Sequence, residues 1–187
     1  MLSSLIQASE LLEKKYSGYK LKIHDAYRPL AVQEFMVKHV AEEFCQKVYN
    51  ILLTEANEQM RQEAFDHTFK LFAKPDTSIQ SPPPHSTGAA LDVTMVDALG
   101  QELPMGSEID AVDNAHPDAF KHSQDPQGII FHKNRMFLKH IMEQSGFIQL
   151  PREWWHFSQG DQTAVFLQTK TNLTTPVLVA KYGRIDL

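Results

Sequence analysis

Two histidines, an aspartate and a glutamate have the types and spacing of residues that bind metal ions and transfer protons. In "PHSTGAALD", His85 precedes Asp92 by seven positions, and Gly88 between them permits a sharp turn that returns both side chains to one point. In "EWWH", Glu153 and His156 lie three positions apart. A regular strand would place these two on opposite faces, so they converge only if the chain turns there. Each pair also has a purely structural interpretation, a capped turn for the first and a half-buried edge strand for the second.

Taken together, these residues predict a zinc site with a base beside it. His85, Asp92 and His156 are a three-ligand set for Zn²⁺ that leaves a fourth position for water, and bound zinc lowers the pKa of that water to about 7. Glu153 is then placed to accept the proton as general base. Arg28 in "HDAYRP" follows a predicted strand and would stabilise an oxyanion, unless it forms only a surface salt bridge. The set predicts metal-assisted amide hydrolysis with one zinc ion per chain.

Both tryptophans of the chain, Trp154 and Trp155, stand between Glu153 and His156. Large rings beside a histidine exclude water and fix its rotamer, as the surroundings of a bound metal require. We therefore expect the two tryptophans to form a wall of the site.

The elements that must position these residues are helices and short strands. Apolar residues recur at helical spacing in three segments, which we predict to be helices: 3–18, 30–72 with a break near 54–57, and 134–146. Apolar and polar residues alternate, or β-forming residues cluster, in the segments predicted to be strands: 19–25, 88–95, 147–150, 153–157 and 175–183. Residues 74–84 and 97–128 are predicted to be mostly loop. The order of elements predicts an α+β fold with a central antiparallel sheet flanked by helices, the zinc site at the sheet, and a single domain over 1–187.

The segments that carry the chemistry resemble the D-alanyl-D-alanine dipeptidases, a branch of the zinc peptidases that also contains D,D-carboxypeptidases. The family pattern is a His, six residues including a Gly, an Asp, and a Glu-x-Trp-His near the C-terminus. Here it falls on His85, Gly88, Asp92, Glu153, Trp155 and His156. The resemblance covers about residues 8–157 and implies the same zinc ligands and the same base.

Two further segments extend the resemblance to the substrate. "DAYRP" resembles the family's arginine segment and implies Arg28 as the group that stabilises the transition state. "ELPMGSEID" resembles the dipeptidase branch in particular and implies that Asp110 binds the free amino group of a dipeptide. The expected ligand is therefore a small D-amino-acid dipeptide, and a blocked N-terminus should be refused.

The sequence also departs from the family. Pro83 and Pro84 stand where the family tends to have a serine before the first histidine, so Ser86 is the residue we expect to supply that hydroxyl to the substrate. Trp155 is expected to contact the substrate as well. The family usually carries more chain before the first helix, so the N-terminus is expected to be short by comparison.

The leading prediction is zinc-dependent hydrolysis of D-Ala-D-Ala or a similar small dipeptide. One alternative is a zinc D,D- or L,D-carboxypeptidase that trims peptidoglycan stem peptides, which shares the metal residues but needs an open groove and no ammonium-binding acid. A second alternative is a zinc-binding module without turnover. The presence of both Glu153 and Arg28 argues against the module, because binding alone requires neither.

Composition excludes several other classes of protein. The chain has 187 residues, 42% hydrophobic and 22% charged, which is ordinary for a globular protein. A net charge of −5 without a basic cluster argues against a nucleic-acid partner. The single cysteine, Cys45, excludes an internal disulfide and a cysteine-based zinc site, and its helical surroundings favour a buried apolar role.

No apolar run approaches the ~18 residues of a membrane span. The N-terminal segment lacks a basic start and a cleavage site, so the expected compartment is the cytoplasm, or the periplasm if a leader precedes this sequence. The oligomeric state stays open. Three histidines in a polar loop are interpreted as solvated: His116, His122 and His132.

Overall fold

The structure is a computed structural model that describes residues 1–78, 81–171 and 179–185. The helices are α1 (Leu2–Lys15), α2 (Leu30–Tyr49), α3 (Glu58–Thr68), α4 (Pro126–Gln144) and α5 (Gln162–Thr171). The strands are β1 (Lys20–Asp25), β2 (Ala90–Val96), β3 (Ile148–Gln149) and β4 (His156–Ser158). The strands form one antiparallel sheet in the order β1-β2-β4-β3. The predicted α+β class with an antiparallel sheet is confirmed.

The central strand β2 separates the core from the face that carries the chemistry. Its residues alternate, as predicted. Leu91, Val93 and Met95 lie in the main hydrophobic core, so Asp92 and Thr94 project from the opposite face. Other segments supply further large members of this core, among them Leu12, Leu138, Ile141, Met142, Phe147 and Phe157. A buried strand with apolar packing on one side gives Asp92 a fixed backbone position.

Helices α2 and α3 form a hairpin with a smaller hydrophobic cluster of its own, which includes Ala41, Cys45 and Ala64. Cys45 is buried, as expected. Helix α2 ends at Asn50, which has a left-handed φ of 56°, and Asn57 caps α3 by accepting a hydrogen bond from the backbone N–H of residue 60 at 3.0 Å. These two asparagines produce the predicted break.

Several predicted boundaries were wrong. Helix α4 begins eight residues earlier than predicted, because Asp125 accepts the N–H of Gly128 at 3.1 Å and Pro126 occupies the first helical turn. The strand predicted over 153–157 begins only at His156. The strand predicted over 19–25 is present as β1, although Ile23, one of its alternating apolar residues, is 45% exposed.

The C-terminal part of the chain also differs from prediction. Helix α5 was not predicted. Of the strand predicted at 175–183, residues 175–178 lie outside the described residues, and no strand is present over 179–183. In the described part of the chain, no helix combines the length and the apolar composition needed to cross a bilayer.

Candidate active site

The pairing of β2 with β4 brings together two of the predicted metal ligands. In this antiparallel pair Asp92 lies directly opposite His156, and residues opposite each other project from the same face of a sheet. His156 Nδ1 lies 3.1 Å from Asp92 Oδ1. Both side chains are buried, so the pair is held by the sheet and shielded from solvent.

The third predicted ligand arrives from the turn before β2. His85 lies in a short 3-10 turn, Pro84–Thr87, which ends at Gly88 with a φ of 65°. The N–H of Gly88 donates to the carbonyl of His85 at 3.1 Å, so the glycine permits the sharp turn that the sequence predicted. As a result His85 Nε2 lies 3.2 Å from Asp92 Oδ2 and 3.2 Å from His156 Nδ1.

These three residues have the chemistry and spacing of a metal site. One ligand atom from each lies within 4.8 Å of the others. Tetrahedral zinc with bonds of about 2.0 Å separates its ligand atoms by about 3.3 Å, close to the observed distances. The second nitrogens of the imidazoles face other partners: His85 Nδ1 donates to the carbonyl of Ala26 at 2.9 Å, and His156 Nε2 lies 3.3 Å from Ser158 Oγ. The ligating nitrogens therefore face one another.

The ionisation of Asp92 suits a metal ligand. Burial alone would raise the pKa of its carboxyl, but hydrogen bonds from His156 and His85 hold that pKa well below its usual range. Burial of His85 alone would lower its pKa, yet the hydrogen bond and charge of Asp92 produce a net rise. The aspartate is thus an anion with two imidazoles around it.

Glu153 reaches this group because the chain turns before β4. Its N–H donates to the carbonyl of Leu150 at 3.2 Å, and the N–H of Trp154 donates to the carbonyl of Ala115 at 2.9 Å. This turn places Glu153 Oε2 3.8 Å from His156 Nδ1. The Glu153 side chain is only 14% exposed, and its burial raises the pKa of the carboxyl. A carboxylate with a raised pKa binds a proton more readily, which suits a group that accepts and returns a proton.

Arg28 is buried in the site and is not part of a surface salt bridge. It is 6% exposed. Its Nε donates to Asp25 Oδ2 at 2.6 Å, its Nη2 also contacts that oxygen, and its Nη1 donates to Gln33 Oε1 at 2.6 Å. Nη2 lies 3.9 Å from Asp92 Oδ2. The guanidinium is therefore held from two sides beside the group of three ligands.

Ser86 and Trp155, which were expected to contact a substrate, do not line the cavities beside the group of three ligands. Ser86 is fully buried, and its Oγ donates to the carbonyl of Arg28 at 3.0 Å, so its hydroxyl fastens the arginine segment. Trp155 is 2% exposed and belongs to the main core. Of the two tryptophans, Trp154 is the one that lines the cavity, with the two rings edge to face at 5.4 Å.

A cavity of about 860 Å³ opens beside the group of three ligands. Arg28 and Asp92 lie in its wall, and the consecutive residues 105–110 form another part of it. A smaller cavity of about 50 Å³ is lined by Glu153, His85 and His156. Arg28, Asp92 and Asp110 line both cavities, so the two spaces meet at these three residues.

Asp110 presents a carboxylate to this junction. It lies in the loop between β2 and α4, where its backbone has a left-handed φ of 61°. Within the residues that the structure describes, its carboxylate has no hydrogen bond or ion pair with a protein group, and burial raises its pKa. A partly buried carboxylate without a cation partner is suited to a positively charged ligand.

Sequence reasoning missed several residues that hold the site together. Asp25 and Gln33 fix the guanidinium of Arg28, and the only signal was an acid three positions before the arginine. Arg135 is fully buried in α4 beneath the loop that carries Asp110. A single arginine in an amphipathic helix normally indicates a solvated face, so nothing in the sequence marked it.

The sequence of the chain matches a known peptidase family. Residues 3–176 match the peptidase family described as D-ala-D-ala dipeptidase. The chain belongs to this family. The D-ala-D-ala dipeptidase family is one of metallopeptidases, which agrees with the metal-capable group at the sheet. The resemblance inferred from the sequence motifs is confirmed.

Individual members of the D-ala-D-ala dipeptidase family align with much of the chain. A D-alanyl-D-alanine dipeptidase of Synechocystis is 34% identical over 195 residues, covering 100% of this chain and 77% of the relative. One of Enterococcus faecium is 26% identical over 163 residues, covering 87% of this chain and 72% of the relative. One of Escherichia coli is 37% identical over 73 residues, covering 39% of this chain and 36% of the relative.

Proposed function

We propose that this chain is a zinc-dependent dipeptidase that hydrolyses D-Ala-D-Ala or a similar small dipeptide. The observation that carries the proposal is the buried group of His85, Asp92 and His156 with the Glu153 carboxylate 3.8 Å from one of its nitrogens. Membership of the family and the names of the relatives from Synechocystis and Enterococcus faecium support the substrate.

The three buried residues would hold one zinc ion, because two imidazole nitrogens and a carboxylate oxygen at these separations are the ligands zinc prefers. An ion held there would supply Lewis-acid chemistry, polarising the scissile carbonyl and lowering the pKa of a water molecule to about 7. The hydrogen bonds of His85 to Ala26 and of His156 to Ser158 fix the ring orientations.

Glu153 carries the proton during hydrolysis. Its Oε2 accepts the proton of the attacking water and then returns it to the nitrogen of the leaving amino acid. The raised pKa of this carboxyl suits both transfers, because a base with a very low proton affinity could not take the proton.

Arg28 stabilises the negative charge that develops on the carbonyl oxygen. A guanidinium is permanently charged, and Asp25 and Gln33 hold this one in a single orientation. Such a donor requires no reorientation during the reaction, which is the source of its effect on the barrier.

Asp110 recognises the free amino group of the dipeptide. Its carboxylate lies at the junction of the two cavities and lacks a cation partner within the described residues. In a dipeptide the ammonium group belongs to the residue whose carbonyl forms the scissile bond, so an acid close to the group of three ligands is suited to bind it.

A zinc D,D-carboxypeptidase is the second candidate, because the cavity is larger than a dipeptide requires. Its volume of about 860 Å³ falls within the range of about 300–1,000 Å³ that accommodates drug-sized ligands. The unpaired Asp110 argues against this candidate, since a longer acyl chain would place no positive charge there.

Zinc content tests the assignment of the ligands. We expect about one zinc ion per chain in the purified protein and a clear loss of zinc in His156→Ala, because two of three ligands cannot retain the ion. Metal analysis after dialysis measures both. His39→Ala is the matched control, since His39 lies on the exposed surface of α2 with a side chain 58% exposed. Undiminished zinc in His156→Ala would contradict the assignment.

Asp110→Asn tests the recognition of the ammonium group. The amide keeps the shape and removes the charge, so kcat/KM for D-Ala-D-Ala should fall about 30-fold or more, since losing one partner of a buried charge pair costs about 2 kcal/mol or more. Zinc content should stay unchanged. Rates with D-Ala-D-Ala, its N-acetyl form and a stem pentapeptide are measured for wild type and variant.

The same assays separate the two candidate functions. The dipeptidase should cut the free dipeptide much faster than the N-acetyl form or the pentapeptide. If the wild-type protein cuts the blocked or longer substrates equally fast, the carboxypeptidase is the correct assignment. If the zinc-loaded protein cuts none of them, it is a binding module.

A further inference from the structure

Arg135 is a fully buried arginine whose hydrogen bonds all go to one loop. It lies in α4 with 0% exposure. Its Nε donates to the carbonyl of Met105 at 2.7 Å, its Nη1 to the carbonyl of His116 at 2.7 Å, and its Nη2 to Ser107 Oγ at 3.1 Å. The guanidinium therefore uses three different nitrogens to hold the segment 105–116.

Arg135 is buried without an ion-pair partner among the residues that the structure describes. No carboxylate forms an ion pair with it in the part of the chain that the structure describes, and burial lowers its pKa to about 10. The rings of Phe120 and Trp154 lie 4.9 Å and 5.5 Å from the guanidinium carbon and offer cation–π contacts. A buried charge without a counter-ion is costly. We take the hydrogen bonds of this arginine to backbone and hydroxyl oxygens of the loop as the reason for its burial.

The loop has two limbs, and Arg135 joins them. Met105 and Ser107 lie on the first limb, which follows β2, whereas His116 lies on the second limb, which leads to α4. Ser107 Oγ also accepts the indole N–H of Trp154 at 2.9 Å. Between the two limbs stands Asp110, with a left-handed φ of 61° that a residue with a side chain adopts at a conformational cost. A loop held at both limbs can maintain such a residue in place.

We propose that Arg135 is a positioning residue that fixes the Asp110 carboxylate at the junction of the two cavities. The inference rests on the proposed role of Asp110 in binding the substrate ammonium, and adds the group that determines where that carboxylate stands. Arg135 acts through the loop and not through its charge. The charged groups with the main influence on the pKa of Asp110 are Asp92, Arg28, His85 and Asp25, and Arg135 is not among them.

Two substitutions of Arg135 test this inference. Arg135→Lys keeps the charge but cannot reproduce three bonds in a fixed planar fork, and Arg135→Met removes the charge with a similar length. Both should raise KM for D-Ala-D-Ala by about 10- to 100-fold, the effect of misplacing a substrate-binding group by about 1 Å. We expect kcat to change much less and zinc content to stay unchanged. Arg61→Met is the control, since Arg61 is exposed on α3 and donates to the carbonyl of Thr54 at 2.8 Å.

A structural role alone gives a different result. It would lower the melting temperature and the fraction of active protein, which reduces kcat per chain but leaves KM of the folded enzyme unchanged. Assays well below the melting temperature of each variant, with active sites counted by bound zinc, distinguish the two. If Arg135→Met fails to fold, Arg135→Lys provides the measurement.

Combination with Asp110→Asn determines whether Arg135 acts through Asp110. In that background Arg135→Lys should raise KM by less than about twofold, because residues that act as one unit are not additive. The positioning role would be overturned by an unchanged KM in Arg135→Lys, or by an equal rise in KM with Asp110 intact and in the Asp110→Asn background. Either result would leave the proposed ammonium recognition by Asp110 intact. If Asp110→Asn itself leaves kcat/KM for D-Ala-D-Ala unchanged, ammonium recognition fails, and the positioning role fails with it.

Discussion

Replacing Glu153 by glutamine should lower kcat for D-Ala-D-Ala by about 10²–10⁴-fold and leave zinc bound. The amide has the shape of the carboxylate but cannot accept a proton from water. Glu153 stands outside the group of three ligands, with its Oε2 3.8 Å from His156 Nδ1. The substitution therefore removes the base without removing a metal ligand, so kcat should fall while the zinc content stays unchanged.

Steady-state rates and zinc content measured on the same preparations test this expectation. Glu143→Gln is the matched control, because Glu143 is a glutamate of α4 with a side chain 44% exposed, 3.9 Å from Lys139. It should retain wild-type kcat. A Glu153→Gln variant that turns over within a few-fold of wild type would show that another group takes the proton. Loss of zinc together with activity would show that Glu153 supports the metal instead.

The local part of the site was predictable from sequence because it depends on short stretches of chain. The seven-residue spacing of His85 and Asp92 closes through the turn at Gly88, whose φ of 65° favours glycine. The alternation of β2 correctly placed Leu91 and Val93 in the core and Asp92 on the other face. Neither inference needed any knowledge of the rest of the fold.

The long-range part required either the resemblance or the structure. The pairing of Asp92 with His156 depends on the register of β2 and β4, and strands so short do not specify their partner by pattern. The turn at Glu153 depends on Trp154, whose N–H bonds to the carbonyl of Ala115 and not to a strand. That contact replaced the strand predicted over the first three residues of the segment.

Two polar side chains have roles that depend on contacts with distant segments. The hydroxyl of Ser86 suggested a contact with substrate, but it bonds to the backbone of Arg28. Arg135 is fully buried in α4, although nothing in the sequence marked it. In both cases the partners include a backbone carbonyl of a distant segment, and carbonyl groups leave no trace in a sequence.

The arginine predicted to stabilise the transition state is the second residue with a large expected effect. Arg28→Lys should lower kcat by about 10²–10³-fold, the typical cost of removing one donor to a developing oxyanion. Lysine keeps the charge but cannot contact Asp25 and Gln33 while a further N–H points toward the group of three ligands. Alanine would be a poorer test, because it leaves the Asp25 carboxylate without its partner.

The division of the effect between kcat and KM identifies the role of Arg28. An interaction made only with the transition state lowers kcat and kcat/KM equally, whereas one made equally with bound substrate raises KM. We expect the first pattern, with zinc content unchanged and Arg61→Lys as the control on an exposed arginine of α3. A rise in KM alone would assign Arg28 to substrate binding. Unchanged kcat and KM with a lowered melting temperature would show that Arg28 has only a structural role. A guanidinium that merely joins Asp25 and Gln33 contributes to the stability of the fold and not to the activation barrier.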